Sequence, residues 1–197
     1  MIDKAFKFIA GEINNYLLTK LSFADSTKIV LDNIARLPDG TGGGSVNKII
    51  LSLVNIEEDR LSKNPENFSK TDDNKVVYKN APIHLNLYCL FAYNHGENDS
   101  ETTNHYEEGL LYISYIIRFF QHRLVFTAAN SPALDPGIEK LLMEQYTLGF
   151  EQMNQLWSVL GGKYLPSVLY KMRLVVIDED LPAGVGELIK NVNVVEN

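Results

Sequence analysis

Apolar residues at the beginning of the chain recur at intervals of three and four positions. Ile2, Phe6, Ile9 and Ile13 fall on one stripe of residues 2–20, a spacing that predicts an amphipathic helix. The polar face of this helix is barely basic, so packing of the stripe on a sheet is favoured over binding to a membrane surface.

Four further segments have the hydrophobic pattern of strands. Residues 26–34 contain a short apolar run, and residues 168–177 form the last strand. Residues 46–56 are apolar on both faces, so we expect this strand near the centre of a sheet. Residues 83–93 alternate most clearly, because odd-numbered and even-numbered positions form two distinct faces.

A broad apolar surface marks residues 105–122 as a second helix. The stripe and the residues that widen it are Leu110, Ile113, Ile117 and Phe120, with Leu111, Tyr112, Ile116 and Phe119. This breadth predicts deep burial, or burial against a second subunit.

Residues 150–160 predict a third helix, closed by a Gly-Gly pair. The ambiguous residues 140–148 are then best interpreted as a strand. The apolar set of the third helix is Phe150, Met153, Leu156 and Trp157. Core packing is the favoured role for this set, and a subunit interface is the alternative.

The predicted order is helix, two or three strands, helix, strand, helix, strand. Such an order predicts the α+β class. We expect a single domain over residues 1–178, in which a twisted mixed or antiparallel sheet is packed with about three helices. Residues 179–197 are expected to form a tail or a last exposed strand.

Two polar stretches, residues 57–80 and 94–104, separate these elements. Loops of this length in a compact domain are usually functional or disordered. A protruding hairpin or assembly arm is therefore expected within residues 57–80, where Val76, Val77 and Tyr78 interrupt the polar run.

Composition narrows the possible functions. A chain of 197 residues fits one domain, and its 18 basic and 25 acidic residues give a net charge of −7. This charge argues against nucleic-acid binding, which needs a basic face. The single cysteine, Cys89, excludes an internal disulfide, and the pattern of the chain predicts neither a signal peptide nor a transmembrane helix.

The candidate catalytic and metal motifs are weak. The glycine-rich residues 40–45 lack the Gly-Lys-Ser/Thr ending of a phosphate-binding loop, and no Gly-x-Ser-x-Gly sequence occurs. His95, Glu97, Asp99 and His105 are close enough in sequence for an adventitious metal site, but no His-Glu-x-x-His pattern supports one. We therefore predict no catalytic residue, no cofactor and no metal.

Four segments carry a family resemblance. Residues 47–60 (NKIILSLVNIEEDR), 81–88 (APIHLNLY), 131–140 (SPALDPGIEK) and 156–171 (LWSVLGGKYLPSVLYK) resemble the DUF4255, or Pvc16 N-terminal-like, family. The family comprises cap, or tail-terminator, proteins of phage-tail-like extracellular contractile injection systems. The resemblance extends from Ile2 to about Asp178.

The resemblance implies a fold like that of phage tail terminators and a structural role without catalysis. Family members form a hexameric ring on the distal end of the inner tube and end tube and sheath polymerisation. The implied partners are further copies of the chain, the tube protein and the sheath protein, without nucleic acid or membrane insertion. The implied location is the bacterial cytoplasm during assembly and the particle afterwards, with extracellular release left open.

Polar residues beside the long loops are the expected contacts with the next subunit or the tube. They are Asp59, Arg60, Lys63, Asn64, Asn94, His95, Glu97, Asp178, Glu179 and Asp180. Two alternatives remain open: an assembly chaperone that leaves the finished particle, and a small ligand- or metal-binding enzyme domain.

Overall fold

The computed structural model describes residues 1–21, 27–39, 46–59, 68–70, 75–78, 84–95, 105–161, 164–176 and 184–187. The helices are α1 (Ile2–Leu21), α2 (His105–His122) and α3 (Phe150–Val159), and a 3₁₀ turn spans Ile34–Asp39. The strands are β1 (Ile29–Leu31), β2 (Lys48–Glu58), β3 (Phe68–Lys70), β4 (Lys75–Tyr78), β5 (His84–Asn94), β6 (Val125–Thr127), β7 (Ile138–Gln145), β8 (Ser167–Val176) and β9 (Gly184–Glu187).

Six of these strands form one mixed sheet in the order β1-β2-β5-β8-β7-β6. β1 runs parallel to β2, and the other neighbouring pairs of this sheet are antiparallel. A bulge between Leu53 and Asn55 shifts the register of β2 against β5. The predicted single α+β domain with a mixed sheet is confirmed, although β2, expected near the centre, lies second from one edge.

Helices α1 and α2 cover one face of the sheet and enclose the larger core. The odd-numbered β5 residues Leu87, Phe91 and Tyr93 point into this core. The ring of Phe91 lies 5.8 Å from that of Phe120 in α2 and 5.9 Å from that of Tyr170 in β8, measured between centroids. Burial of these large rings supplies much of the hydrophobic stabilisation.

Helix α3 covers part of the opposite face and encloses a smaller core. The even-numbered β5 residues Leu90 and Ala92 pack there with Ile50, Leu169 and Trp157. The two faces predicted for residues 83–93 are therefore confirmed, and each face is covered by different helices.

A second, three-stranded sheet has the order β3-β4-β9. It is connected to the main sheet at one end of the ladder formed by β2, β5 and β8, where the Asp59 N–H donates to the His84 carbonyl at 2.8 Å. The strand β4 spans the apolar Val76, Val77 and Tyr78, and β3 pairs with it as an antiparallel hairpin. The hairpin expected in residues 57–80 is thus present.

The prediction of one strand over residues 26–34 is wrong in its extent, since β1 ends at Leu31. Ser52, which is buried in β2, explains the early end. The Ile34 N–H donates to the Ser52 hydroxyl at 3.0 Å, and that hydroxyl donates to the Asp32 carbonyl. These two hydrogen bonds turn the chain away from β2 and into the 3₁₀ turn.

The predicted buried stripe of α2 is also partly wrong. Leu110 and Ile117 are exposed, as is Leu111. The buried face includes Gly109 instead, and a Cβ atom at this glycine would lie 2.4 Å from Cδ1 of Tyr93. Close approach of the helix backbone to the Tyr93 ring therefore fixes a rotation of α2 that leaves Leu110 and Ile117 outside the core.

Candidate assembly surfaces

Three of the ten predicted contact residues lie in described segments. Asp59 follows β2, Asn94 ends β5, and His95 follows it. Asn94 pairs with Lys48 at one end of the β2–β5 ladder, whereas Asp59 lies beside His84 at the other end. The intervening strand is about 33 Å long, so these residues do not form one site. The other seven lie outside the described residues: Arg60, Lys63, Asn64, Glu97, Asp178, Glu179 and Asp180.

A polar cluster surrounds the Glu108 carboxylate at the beginning of α2. The Tyr112 hydroxyl donates to it at 2.6 Å and the Tyr93 hydroxyl at 3.1 Å, while His105 Nδ1 lies at 3.4 Å and Lys28 Nζ at 3.9 Å. Burial raises the pKa of Glu108, but the hydrogen bonds together outweigh it and hold the pKa below its usual value. The cluster therefore keeps an ionised carboxylate where α2, β5 and the approach to β1 meet.

The polar loop considered for ligand or metal binding lies mostly outside the described residues. Of the four residues considered as a metal site, Glu97 and Asp99 lie outside the described residues, and no group of three or more His, Cys, Asp or Glu side chains gathers in the described segments. Burial raises the pKa of the Cys89 thiol, which makes this thiol a poor nucleophile. Among the helices described, none has the length and apolar character needed to cross a membrane.

A charged network lies on the α3 face of the sheet, across β7 and β8. Lys171 Nζ and Arg173 Nε lie 3.0 and 3.2 Å from the same oxygen of Glu144. The hydrogen bond from Lys171 is the main reason that the pKa of Glu144 lies below its usual value. Nearby, the Tyr88 hydroxyl donates to Glu57 at 2.8 Å, and burial together with this bond raises the pKa of Tyr88 to about 12. This part of the sheet is thus polar and partly exposed.

The outer edge of β1 is occupied by a side-chain amide from α1. The Lys28 carbonyl accepts from Ile49 in β2, so the backbone groups of Ile29 point away from the sheet. Asn14 Oδ1 accepts from the Ile29 N–H at 2.9 Å, and Asn14 Nδ2 donates to the Ile29 carbonyl at 3.0 Å. Asn14 therefore satisfies the outward backbone groups of Ile29, to which another strand would bind.

The opposite edge strand, β6, has the same arrangement. The Leu124 carbonyl accepts from Met143 in β7, so Val125 and Thr127 direct their backbone groups outward. Asn130 Oδ1 accepts from the Thr127 N–H at 2.9 Å, and Asn130 Nδ2 donates to the Val125 carbonyl at 3.0 Å. Both edge strands of the main sheet are thus blocked by an asparagine, and sequence reasoning missed both residues.

Arg123 holds the second asparagine in place. Its guanidinium donates to Glu12 in α1 at 2.7 Å, to the Asn130 carbonyl at 2.5 Å and to the buried Ser131 hydroxyl at 2.6 Å. It also lies over the Phe126 ring, 4.7 Å from the centroid. The segment 131–140, one of those that carried the family resemblance, begins at this junction between α1, α2 and β6.

One face of α3 carries a partly apolar groove of about 230 Å³, lined by Phe150, Met153, Asn154, Trp157, Ser158 and Tyr164. Trp157 is buried as expected for core packing, and its ring packs edge to face on Tyr164 at a centroid distance of 5.6 Å. Phe150, predicted in the same apolar set, is instead 92% exposed. An aromatic residue at the first position of a helix was the signal in the sequence that could have indicated this surface.

These features define the class of protein: a single α+β domain with helices on both faces of a mixed sheet, an asparagine bonded to each edge strand, and exposed apolar residues on α2 and α3. The chain belongs to the Pvc16 N-terminal domain family, whose model matches residues 6–191. The match continues beyond Asp178, where the resemblance was expected to end, and includes β9.

Two solved structures share the fold. One is the PVC sheath/tube terminator of an extracellular contractile injection system, in its extended state, with a TM-score of 0.59 and 11% identity over 100% of this chain. The other is the anti-feeding prophage cap, a tube-terminating cap, with a TM-score of 0.50 and 10% identity over 76% of this chain. This chain spans 63% and 49% of those two chains. No curated protein sequence matches it.

Proposed function

We propose that this protein is a structural terminator of a contractile injection particle. The observation that carries the proposal is the alignment of the whole chain with a solved sheath/tube terminator, together with membership of the Pvc16 N-terminal domain family. At 11% identity the structural likeness establishes the fold, and the family membership supports the role.

In this proposal, six copies form a ring on the distal end of the inner tube and end the polymerisation of tube and sheath. A head-to-tail contact that closes on itself produces such a ring. The partners are further copies of this chain, the tube protein and the sheath protein. The role requires neither catalysis nor a cofactor, and the net charge of −7 disfavours nucleic acid as a partner.

We also propose that the polar segments flanking β5 and following β8 contact the neighbouring components. The second sheet, β3-β4-β9, supports this idea because it is built from the polar residues 57–80 and the C-terminal segment. The division between a domain at 1–178 and a tail at 179–197 remains a prediction.

The length distribution of the particles tests termination. Particles from cells that lack this gene are compared by electron microscopy with wild-type particles and with particles from the complemented strain. Loss of a terminator should give overlong, ragged or unsheathed tubes, because nothing stops subunit addition. Uniform, capped particles in the deletion strain would contradict the proposal.

The composition of purified particles separates the terminator from a chaperone. A terminator stays at one end of the particle, so quantitative mass spectrometry should find about six copies per particle. If deletion disturbs assembly but the protein is absent from finished particles, the chaperone alternative is correct instead.

A further inference from the structure

Two exposed apolar surfaces lie on opposite sides of the main sheet. The first is the α3 groove described above, in which Phe150 and Tyr164 are 92% and 60% exposed. The second is an outer stripe of α2, defined by Tyr106, Leu110 and Ile117. At 100° per residue, these three positions lie within about 40° of one another around the helix axis. Their spacing is that of a helix that docks into a groove.

The serine hydroxyl groups at both surfaces are already hydrogen-bonded within their own helices. The Ser114 hydroxyl, beside the α2 stripe, donates to the Leu110 carbonyl at 2.8 Å. The Ser158 hydroxyl, in the α3 groove, donates to the Asn154 carbonyl at 2.7 Å. Each hydroxyl is satisfied by its own helix, so burying it in a contact leaves no donor without an acceptor.

The exposed area is sufficient for the centre of an interface. An aromatic side chain buries about 150–250 Å², so the exposed parts of Phe150 and Tyr164 offer roughly 230–380 Å² together. A standard interface buries about 800 Å² on each partner, with an apolar centre and a polar rim. The charged network of Lys171, Arg173 and Glu144 lies on the same sheet face as the groove. It can therefore supply part of the polar rim of such an interface.

The edges of the main sheet do not offer an equivalent contact. Asn14 and Asn130 occupy the outward backbone groups of β1 and β6, which disfavours joining copies by strand addition at either edge. Contacts between copies are therefore expected on the faces of the main sheet. The α2 stripe and the α3 groove are different surfaces on opposite faces, which is the arrangement that a head-to-tail contact requires.

We propose that neighbouring copies of this chain meet through these surfaces, with the α2 stripe of one copy seated in the α3 groove of the next. The inference rests on the ring of the proposed function and assigns its subunit interface. Phe150 and Leu110 are the central residues of the contact, and the occupant of the groove is a second copy of the same chain.

Cross-linking within purified particles tests the direction of the contact. The variant Ser114→Cys plus Ser158→Cys, which keeps Leu110 and Phe150 in place, is treated with a short bis-maleimide, and the native Cys89 does not compete because it is buried. The double variant should give a covalent ladder up to the hexamer. Neither single variant should cross-link to itself, since each copy then offers only one of the two thiols. Dimers from a single variant would show a symmetric contact and overturn the proposal.

Paired substitutions test how much the α2 stripe and the α3 groove contribute to the stability of the ring. Leu110→Glu has a matched control in Leu111→Glu, because both leucines are 45% exposed on the same helix and point about 100° apart. Phe150→Ala is matched by Val159→Ala, which is also highly exposed on α3. The first variant of each pair should abolish the ring or raise its dissociation constant by roughly tenfold or more, while circular dichroism and thermal unfolding of the subunit stay unchanged.

The possible outcomes distinguish failure of this interface from failure of the proposed function. Capped particles with normal rings in both Leu110→Glu and Phe150→Ala would overturn the interface and leave the terminator role intact. Equal loss of rings in the two control variants would also overturn it, since the contact would then not be specific to these surfaces. If wild-type particles carry no ring of this protein, the proposed function itself fails.

Discussion

Single residues decide how α2 sits on the sheet. Gly109 lies against the Tyr93 ring, where a methyl group would come within 2.4 Å of Cδ1. Tyr93 is fully buried, and its hydroxyl is held by Glu108. Neither the ring nor the helix backbone can move without disturbing this cluster, so the absence of a side chain at position 109 is a structural requirement.

Substitution of the two helical glycines should therefore have opposite effects. Gly109→Ala is expected to lower the free energy of unfolding by about 1–3 kcal/mol through overpacking. Gly11→Ala, in α1, meets nothing within 4 Å and should raise it by about 0.5–1 kcal/mol, because alanine loses less backbone entropy. Urea unfolding of both variants measures the difference. A stabilised Gly109→Ala protein would show that the contact with Tyr93 is not restrictive.

Glu108 should make stability depend on pH. Its pKa in the folded protein lies below the usual glutamate value of 4.5, so its contribution to stability is present above that pH and is lost as the pH falls through the folded pKa. Glu108→Gln is expected to lose about 1–2 kcal/mol at pH 7, and the deficit should shrink as the pH falls below 4.5.

Urea unfolding at a series of pH values checks this prediction. The control is Glu151→Gln on the exposed surface of α3, which should differ little from wild type at any pH. A deficit in Glu108→Gln that is the same at pH 7 and at acidic pH would mean that the side chain acts through packing and not through its charge.

At the scale of elements, the edge strands show how the sheet remains six strands wide. β1 and β6 are each three residues long, and short edge strands are themselves poor templates for pairing. The amides of Asn14 and Asn130 complete the protection, since each supplies one donor and one acceptor to the outward backbone groups, as a neighbouring strand would.

Removal of these amides should expose the edges. Asn14→Ala is expected to lose roughly 1–3 kcal/mol, because it leaves part-buried backbone groups of Ile29 unsatisfied. Asn130→Ala should lose less, because its hydrogen bonds to β6 are exposed and water can replace them. The double variant should also self-associate in a concentration-dependent manner. Light scattering measures this association, and Asn15→Ala, an exposed neighbour on α1, is the control. A double variant that stays as dispersed as the control would show that the edges are protected by their shortness.

Helices α2 and α3 carry more apolar side chains than the two cores bury. Helix α2 has more large apolar residues than its own sheet can cover, so Leu110, Leu111 and Ile117 remain exposed. Helix α3 begins with the exposed Phe150 for the same reason: it extends past the core that covers Trp157. Exposed apolar residues that cluster on one stripe, such as Leu110 and Ile117, mark a candidate interface, whereas a singly exposed apolar residue does not.

At the scale of the whole molecule, the two sheet faces differ in character. One carries α1, α2 and the larger core, and the other carries α3, the smaller core and the charged network around Glu144. Two unlike faces allow a head-to-tail contact between copies, which the ring proposed above requires. The interface proposed above uses both faces.

Local patterns in the sequence are sufficient to predict most of the architecture. Periods of three to four predicted α1, α2 and α3 close to their observed bounds, and the alternation of residues 83–93 predicted a strand with a core on each face. These features depend on local hydrophobic periodicity, which can be recognised from the amino-acid sequence alone. The segments from 47 to 171 also carried the family resemblance that the match over residues 6–191 confirms.

The exposed surfaces, in contrast, depend on contacts between residues that are distant in the sequence. The rotation of α2 depends on Gly109 meeting Tyr93, which lies 16 positions earlier on another element. The end of β1 depends on Ser52, and the protection of the sheet edges depends on Asn14 and Asn130. Hydrophobic period indicates which residues can be buried, but partners distant in sequence determine which residues are buried. The exposed remainder, including Leu110 and Phe150, therefore emerges only when the elements are packed.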